Sequence, residues 1–282
     1  MSLAHKIVEH TRFRARQLVE AGLNAAWVRL WAGRQKKITA MVRVKNEAQF
    51  LAPSILSIHG LVDEIIIVDN QSTDATPEII AALARTIGPK LKSYSYAYEV
   101  TRVGSEFSEL YQSDPGSPRL LSNYYNWCLA RCSMPFIMKW DGDMIALKEF
   151  AEGLGRFRKS PCLQFDFGGH NLSSDRKNLL TWAAGIEPRV FPKIFFKFGS
   201  GSYGGEQLEG WVKPRNILHV EKPLYAHMKY CKADPGSNQT PEFRKSLEAA
   251  IQIAGPTPTE VSQDVEHWLH QAGIPAHAGQ GV

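Results

Sequence analysis

Residues 65–79, IIIVDNQSTDATPEI, decide the fold. From Glu64 to Val68 the chain is almost wholly β-branched and apolar, the pattern of a strand covered on both faces. It then breaks at Asp69 into a polar run ending at Asp74. Thr76-Pro77-Glu78 follows as helix N-cap, first-turn proline and first-turn acid. A buried strand, a polar turn and a capped helix in fifteen residues make a βα unit, which requires a parallel neighbour.

Similar units lie on either side. Ile38 to Val44 reads as a strand, and Glu47 to His59 as a helix with Leu51, Ile55, Leu56 and Ile58 on one face, regular from about Pro53. Leu91 to Val100 alternates, with Lys92, Tyr94, Tyr96 and Tyr98 on one face. A polar loop is expected over Thr101–Ser117, a helix from Arg119 to Cys132 and a strand from Phe136 to Trp140. Further on, Leu147–Phe157 reads as helix, Leu163–Phe167 as strand, Ile217–Lys229 as one or two strands and Glu242–Ile253 as helix. The fold class is α/β: a Rossmann-like, doubly wound, mostly parallel sheet with an N-terminal helical extension.

The 282 residues can build a sizeable core without disulfides or structural metal. Cys128, Cys132, Cys162 and Cys231 form no CxxC pair, and no apolar run approaches the ~20 residues of a membrane span. A cytoplasmic chain is expected. Residues 1–37 hold eight Lys/Arg against two Glu, a net +6, while the remainder holds 25 basic and 26 acidic residues, a net −1. A general nucleic-acid-binding body is therefore disfavoured. The basic segment reads as an amphipathic helix, stopping near Gly33, which either packs on the body or lies on an anionic membrane surface through residues 1–33.

In an open parallel sheet, ligands bind at the carboxyl ends of strands. Three such ends are polar here: Lys45-Asn46-Glu47, Asp69 to Asp74, and Asp141-Gly142-Asp143. Two aspartates two residues apart project to one side and repel, a conflict that a divalent ion resolves. Mg²⁺ or Mn²⁺ takes one or two protein carboxylates and completes its shell with diphosphate oxygens. An Asp-Gly-Asp turn that merely caps the next segment is the plainer alternative.

The ordered motifs VRVKNEAQFL (42–51), IIIVDNQSTDATPEI (65–79) and NWCLARCSMPFIMKWDGD (126–143) together resemble the donor-binding half of family 2 glycosyltransferases of the GT-A fold. The resemblance implies that Asp69 bonds the nucleobase edge, with Val42 and Val44 flooring the base pocket and Glu47 beside it. Asp141 is implied at the ribose or a metal-bound water, Asp143 as metal ligand, and Arg119, Asn123 and Asn126 at the donor; glycines usual in that helix motif are replaced by Cys128 and Met134. An inverting enzyme needs a base for the acceptor hydroxyl. The matching segment is Gly204 to Glu209, where Gln207 stands in place of the family's usual Asp; Glu206 is the first choice of base and Glu209 the second. His227 is implied as a further metal ligand, Lys229 and Lys232 as neutralising diphosphate oxygens, and Arg189, His170 and Trp182 as acceptor-site residues.

The expected organisation is a basic helical extension (1–37), a nucleotide-sugar-binding half (38–145), an acceptor half (146–235) and a C-terminal helical tail (236–282). The expected activity is metal-dependent transfer of a hexose-type sugar from a nucleoside-diphosphate sugar to a carbohydrate or lipid-linked acceptor, as in cell-surface polysaccharide or lipopolysaccharide synthesis. Alternatives are a retaining GT-A transferase, a nucleotidyltransferase, which would ordinarily carry a glycine-rich loop after the first strand, and a non-catalytic nucleotide-binding scaffold.

Overall fold

The structure is a computed structural model and describes residues 18–31, 33–101, 105–180, 184–200, 206–210 (backbone only), 216–232 and 252–274. An eight-stranded sheet organises it. The strands are β1 (Ile38–Val44), β2 (Glu64–Asp69), β3 (Leu91–Ser95), β4 (Phe136–Asp141), β5 (Met144–Ala146), β6 (Gln164–Asn171), β8 (Ala184–Pro192) and β11 (Ile217–His227), in spatial order β3-β2-β1-β4-β8-β6-β11-β5. β3, β2, β1 and β4 are mutually parallel, and β6 and β11 are parallel to each other. β8 runs antiparallel to both β4 and β6, and β5 antiparallel to β11. Short β7 (Asn178–Leu180) pairs with β12 (Ile253–Pro256), and β9 (Phe196–Ser200) with β10 (Glu206–Gly210).

Every residue of β1 is buried, Thr39 and Arg43 included, as expected of a mainly apolar strand covered on both faces. On one face Ile38, Ala40, Val42 and Val44 meet Leu51 and Ile55 of helix α2 (Leu51–Ile58), Ile80 and Leu83 of α3 (Thr76–Ile87), and Phe150, Leu154 and Phe157 of α6 (Lys148–Lys159). On the other, Met41, Ile66, Val68 and Ile137 meet Tyr124, Tyr125, Cys128 and Leu129 of α5 (Leu121–Arg131). Helices on both faces make the sheet doubly wound, each buried large apolar side chain contributing about 1.5–3 kcal/mol.

The ends of the chain join this core. Helix α1, residues 18–31, sets Trp31 edge-on against Phe136 at 5.2 Å and Trp27 against Phe195 at 5.1 Å. It leaves Leu18, Val19, Leu23 and Leu30 exposed. Lys36, counted above with the basic extension, is buried between Phe136 and Phe157, its Nζ donating to Phe157 O at 3.1 Å. Helix α7 (Thr259–Gln271) is no loose tail: Val261, Val265 and Leu269 seal Ile145, Leu147, Ala226 and Met228.

Several expectations are corrected. The polar loop contains helix α4 (Ser105–Ser113), anchored by buried Phe107 stacked on Tyr111. β3 stops at Ser95, and Tyr96 turns inward while Tyr94 and Tyr98 stay exposed. Thr76 is the first residue of its helix and not its cap. Ile253 opens a strand, and the rest of the expected 242–253 helix lies outside the described residues. Residues 206–210 are a strand paired with β9.

Candidate functional site

Because β1, β2 and β4 are parallel, their carboxyl ends share one edge, and the strand order reverses around β1. The turns leaving β1 and β2 are bonded to each other. Asn46 and Gln71 adopt left-handed φ values of 56° and 58°, a conformation uncommon outside glycine that recurs at functional sites. The Asn46 amide donates to Ser72 Oγ and the Thr73 amide to Asn46 Oδ1, both at 2.8 Å. The Thr76 hydroxyl accepts from the Glu47 amide at 2.8 Å, which is why it does not cap its own helix. Beneath these turns lies a cavity of about 280 Å³, walled by Val44, Glu47, Tyr124, Asp141, Asp143 and His227, among others.

Of the carboxylates of this cavity, Asp141 pairs with arginines, whereas Asp143 and Glu47 share Lys232. Asp141 pairs across the β1–β4 register with Arg43, whose guanidinium stacks 4.0 Å over the Tyr125 ring, and lies 3.7 Å from Arg189. Burial disfavours its charge, but Arg43 and Arg189 outweigh this and hold its pKa at about 2. Asp143 Oδ2 accepts from Lys232 Nζ at 2.6 Å, and Oδ1 lies 3.3 Å from His227 Nε2. Burial again opposes ionisation, yet Lys232 and His227 keep Asp143 well below the usual carboxylate range. Glu47, deepest on the β1 side, goes the other way: burial, then Asp143, push its pKa up despite a 2.6 Å contact with Lys232. The repulsion that the sequence assigned to a divalent ion is thus met largely by side-chain cations. Gly142 serves packing: a Cβ there would come 2.9 Å from Val44 Cγ1 and 3.1 Å from Glu47 Cγ.

The donor chemistry at Asp143 fits a metal ion. His227 Nδ1 lies 3.0 Å from Asn171 Oδ1, and in the tautomer that places the ring proton there the Nε2 lone pair faces Asp143 Oδ1 and is open to a metal ion. In that tautomer the two acceptors are 3.3 Å apart, close to the spacing of about 3 Å between cis ligands of an octahedral ion with bonds of about 2.1 Å. Asn171 supplies the outer hydrogen bond that metal-ligating histidines commonly make. Glu47 Oε2 is buried without a hydrogen-bond partner nearby. Among the described residues no three His, Cys, Asp or Glu converge on one point, so a bound ion would need oxygens from its ligand.

The remaining expected residues are dispersed. Val42 is in the core and not at the cavity wall. Asp69 accepts from the Ser72 amide at 3.2 Å and closes its own turn. Arg119 pairs with Glu106, and Asn123 donates to Pro115 O and Ser117 O, so both hold the loop before α5. Asn126 clasps the backbone of Phe198 on β9 through two hydrogen bonds. Arg189 is buried against Asp141, Glu187 and Tyr225. His170 is half-buried on β6 beside Ala226. Trp182 and the side chains of Glu206 and Glu209 lie outside the described residues. Sequence reasoning missed Arg43 and Asn171; the signal for Arg43 was an arginine inside a strand otherwise apolar and covered on both faces.

These turns lie within the segment that known proteins share. Residues 39–96 match the model of glycosyl transferase family 2. Over 56 residues the chain is 43% identical to an uncharacterized glycosyltransferase of Rickettsia felis and 41% identical to one of Rickettsia prowazekii. Each match takes in 20% of this chain and 18% of the relative, so the chain spans under a fifth of the length of these curated relatives. Among solved structures it is similar to Staphylococcus aureus TarS 1-349, with 14% identity and a TM-score of 0.46 over 68% of this chain and 60% of that one. It is also similar to Mycobacterium tuberculosis glucosyl-3-phosphoglycerate synthase, with 16% identity and a TM-score of 0.43 over 90% and 84%. At that distance neither likeness speaks to substrate. The family 2 resemblance seen in the sequence is thus matched over the segment carrying β1, β2 and their turns.

Proposed function

We propose that the protein is a metal-dependent glycosyltransferase that moves a sugar from a nucleoside-diphosphate sugar to an acceptor hydroxyl with inversion. The observation that carries this is the facing pair Asp143 and His227, set on the strand edge beside the family-matched turn at Glu47. Mn²⁺ or Mg²⁺ held by that pair would supply Lewis-acid stabilisation to the departing diphosphate.

The chain's own groups have distinct tasks. Val44 and Tyr124 offer apolar walls to a nucleobase, and Asp141, kept ionised by Arg43 and Arg189, offers an acceptor to a ribose hydroxyl. Lys229 lines the cavity and neutralises diphosphate charge. A carboxylate on β10, Glu206 ahead of Glu209, takes the acceptor proton. Gln207 beside it keeps a retaining mechanism as the second reading; the anomeric configuration of the product separates the two.

A thermal-shift panel of UDP, GDP, dTDP and CMP, each with and without Mn²⁺, tests the assignment. At least one nucleotide should stabilise the protein in a Mn²⁺-dependent way, and Asp143→Asn should remove that dependence. A wild-type protein indifferent to every nucleotide sinks the reading.

The acceptor in this reading is lipid-linked, and α1 touches an anionic membrane surface. Its exposed Leu18, Val19, Leu23 and Leu30 suit the apolar side of such a contact, and Arg29 and Arg34 the headgroups. No described helix is long and apolar enough to cross a membrane. Because Trp27 and Trp31 pack on the body, replacing Leu18, Leu23 and Leu30 by Ser is a cleaner test than deletion. The triple variant should lose salt-sensitive binding to phosphatidylglycerol vesicles while keeping its melting temperature; unchanged vesicle binding refutes the contact.

A further inference from the structure

Lys232 stands where the cavity's carboxylates meet. It follows the 3-10 turn Lys229–Cys231, and that turn is held from several sides. The Met228 amide donates to Asp143 O at 2.8 Å, the Cys231 amide to Met228 O at 2.9 Å, and Cys231 Sγ to Ser173 O at 3.1 Å. From this base Lys232 Nζ reaches Glu47 Oε1 and Asp143 Oδ2 at 2.6 Å each, with its side chain and that of Glu47 only 13% exposed. The ammonium therefore takes one oxygen of the carboxylate whose other oxygen faces His227, and ties up the acid beside it.

We propose that Lys232 is a resident counter-cation that competes with a divalent metal for Asp143 and Glu47. The inference rests on the metal-binding reading of Asp143 and His227. An ammonium and a divalent ion on the two oxygens of one buried carboxylate repel each other strongly, because little solvent screens them. Metal alone must displace the lysine, which then loses two carboxylate partners. Metal that arrives with a diphosphate meets less opposition, since phosphate oxygens accept the displaced ammonium. When Lys232 leaves, Glu47 regains two free carboxylate oxygens, Oε2 being already without a hydrogen bond. The site would thus take metal and nucleotide together instead of standing loaded.

The test titrates Mn²⁺ alone against the full-length protein, reading free Mn²⁺ by electron paramagnetic resonance. Lys232→Met should bind Mn²⁺ at least tenfold more tightly than wild type, and Lys232→Arg, which keeps the charge, should stay within about twofold of it. A Lys232→Met affinity equal to or below wild type overturns the proposal. Reductive methylation followed by mass spectrometry asks the same of the unaltered chain and covers a variant that fails to fold. Labelling of Lys232 should rise severalfold at saturating Mn²⁺ without nucleotide; constant labelling overturns the proposal. The nucleotide panel stands apart from these readouts: nucleotide binding without a Lys232→Met gain removes this inference alone, whereas absence of nucleotide binding removes the transferase reading.

Discussion

Asn126 and Phe198 exchange two hydrogen bonds: Asn126 Nδ2 donates to Phe198 O at 2.7 Å, and the Phe198 amide donates to Asn126 Oδ1 at 2.9 Å. This clasp fixes the β9–β10 hairpin to α5. Asn126→Ala leaves both backbone groups of Phe198 unsatisfied and should cost about 1–3 kcal/mol in urea unfolding. Nucleotide affinity should change by less than about twofold. A large loss of affinity with unchanged stability would place Asn126 at the donor.

Gly142→Ala places a methyl carbon against Val44 Cγ1, a β-branched side chain with little freedom, and against Glu47. The turn carrying Asp143 has to shift, at a cost of about 1–3 kcal/mol. Isothermal titration should show weaker Mn²⁺-dependent nucleotide binding in the same variant. Unaltered binding would mean that the turn tolerates displacement.

Glu64, at the start of β2, is a buried carboxylate away from the cavity. Its oxygens accept from Thr39 Oγ1, the Ser133 amide and hydroxyl, and Lys92 Nζ. Burial opposes its charge, but Lys92 and these donors outweigh it and hold its pKa at about 2. A pKa depressed in the folded state gives stability that is present above the unfolded value of about 4.3 and is lost as pH falls toward 2. Glu64→Gln should therefore lower stability by about 3 kcal/mol at pH 7, and its gap from wild type should narrow between pH 5 and pH 2. A gap independent of pH would show that shape, and not charge, matters there.

Arg189→Met removes a buried guanidinium from Asp141, Glu187 and Tyr225. Breaking a buried ion pair from one side costs about 3–5 kcal/mol. Asp141 loses one of the three cations that depress its pKa, Arg43, Arg189 and Lys139, so any nucleotide affinity that depends on its charge should fall off at a higher pH than in wild type. Titrating affinity between pH 4 and pH 7 measures that shift.

What could be read without coordinates follows from local physics. The β-branched run 64–68 and the proline at the start of α3 commit that segment whatever surrounds it, and parallel strands deliver their carboxyl ends to one edge. That logic brought Glu47, Asp141 and Asp143 to one cavity, which His227, implied by the family resemblance, also lines. Long-range choices were hidden. Nothing local to Asn126 announces a partner 72 residues away. Phe107 gives α4 its buried anchor only because the rest of the body is present. Thr76 reads as a helix cap, yet its hydroxyl is spent on the joined turns.

The reversed strand β8 has a bearing on engineering. It delivers Arg189, from the half expected to bind acceptor, to Asp141 of the half expected to bind donor. The two halves are therefore not interchangeable modules divided near residue 145. A chimera meant to alter acceptor choice should retain β8 from the parent, or bring a strand whose own arginine meets Asp141, because a junction drawn between β5 and α6 would leave that aspartate without one of its two guanidinium partners.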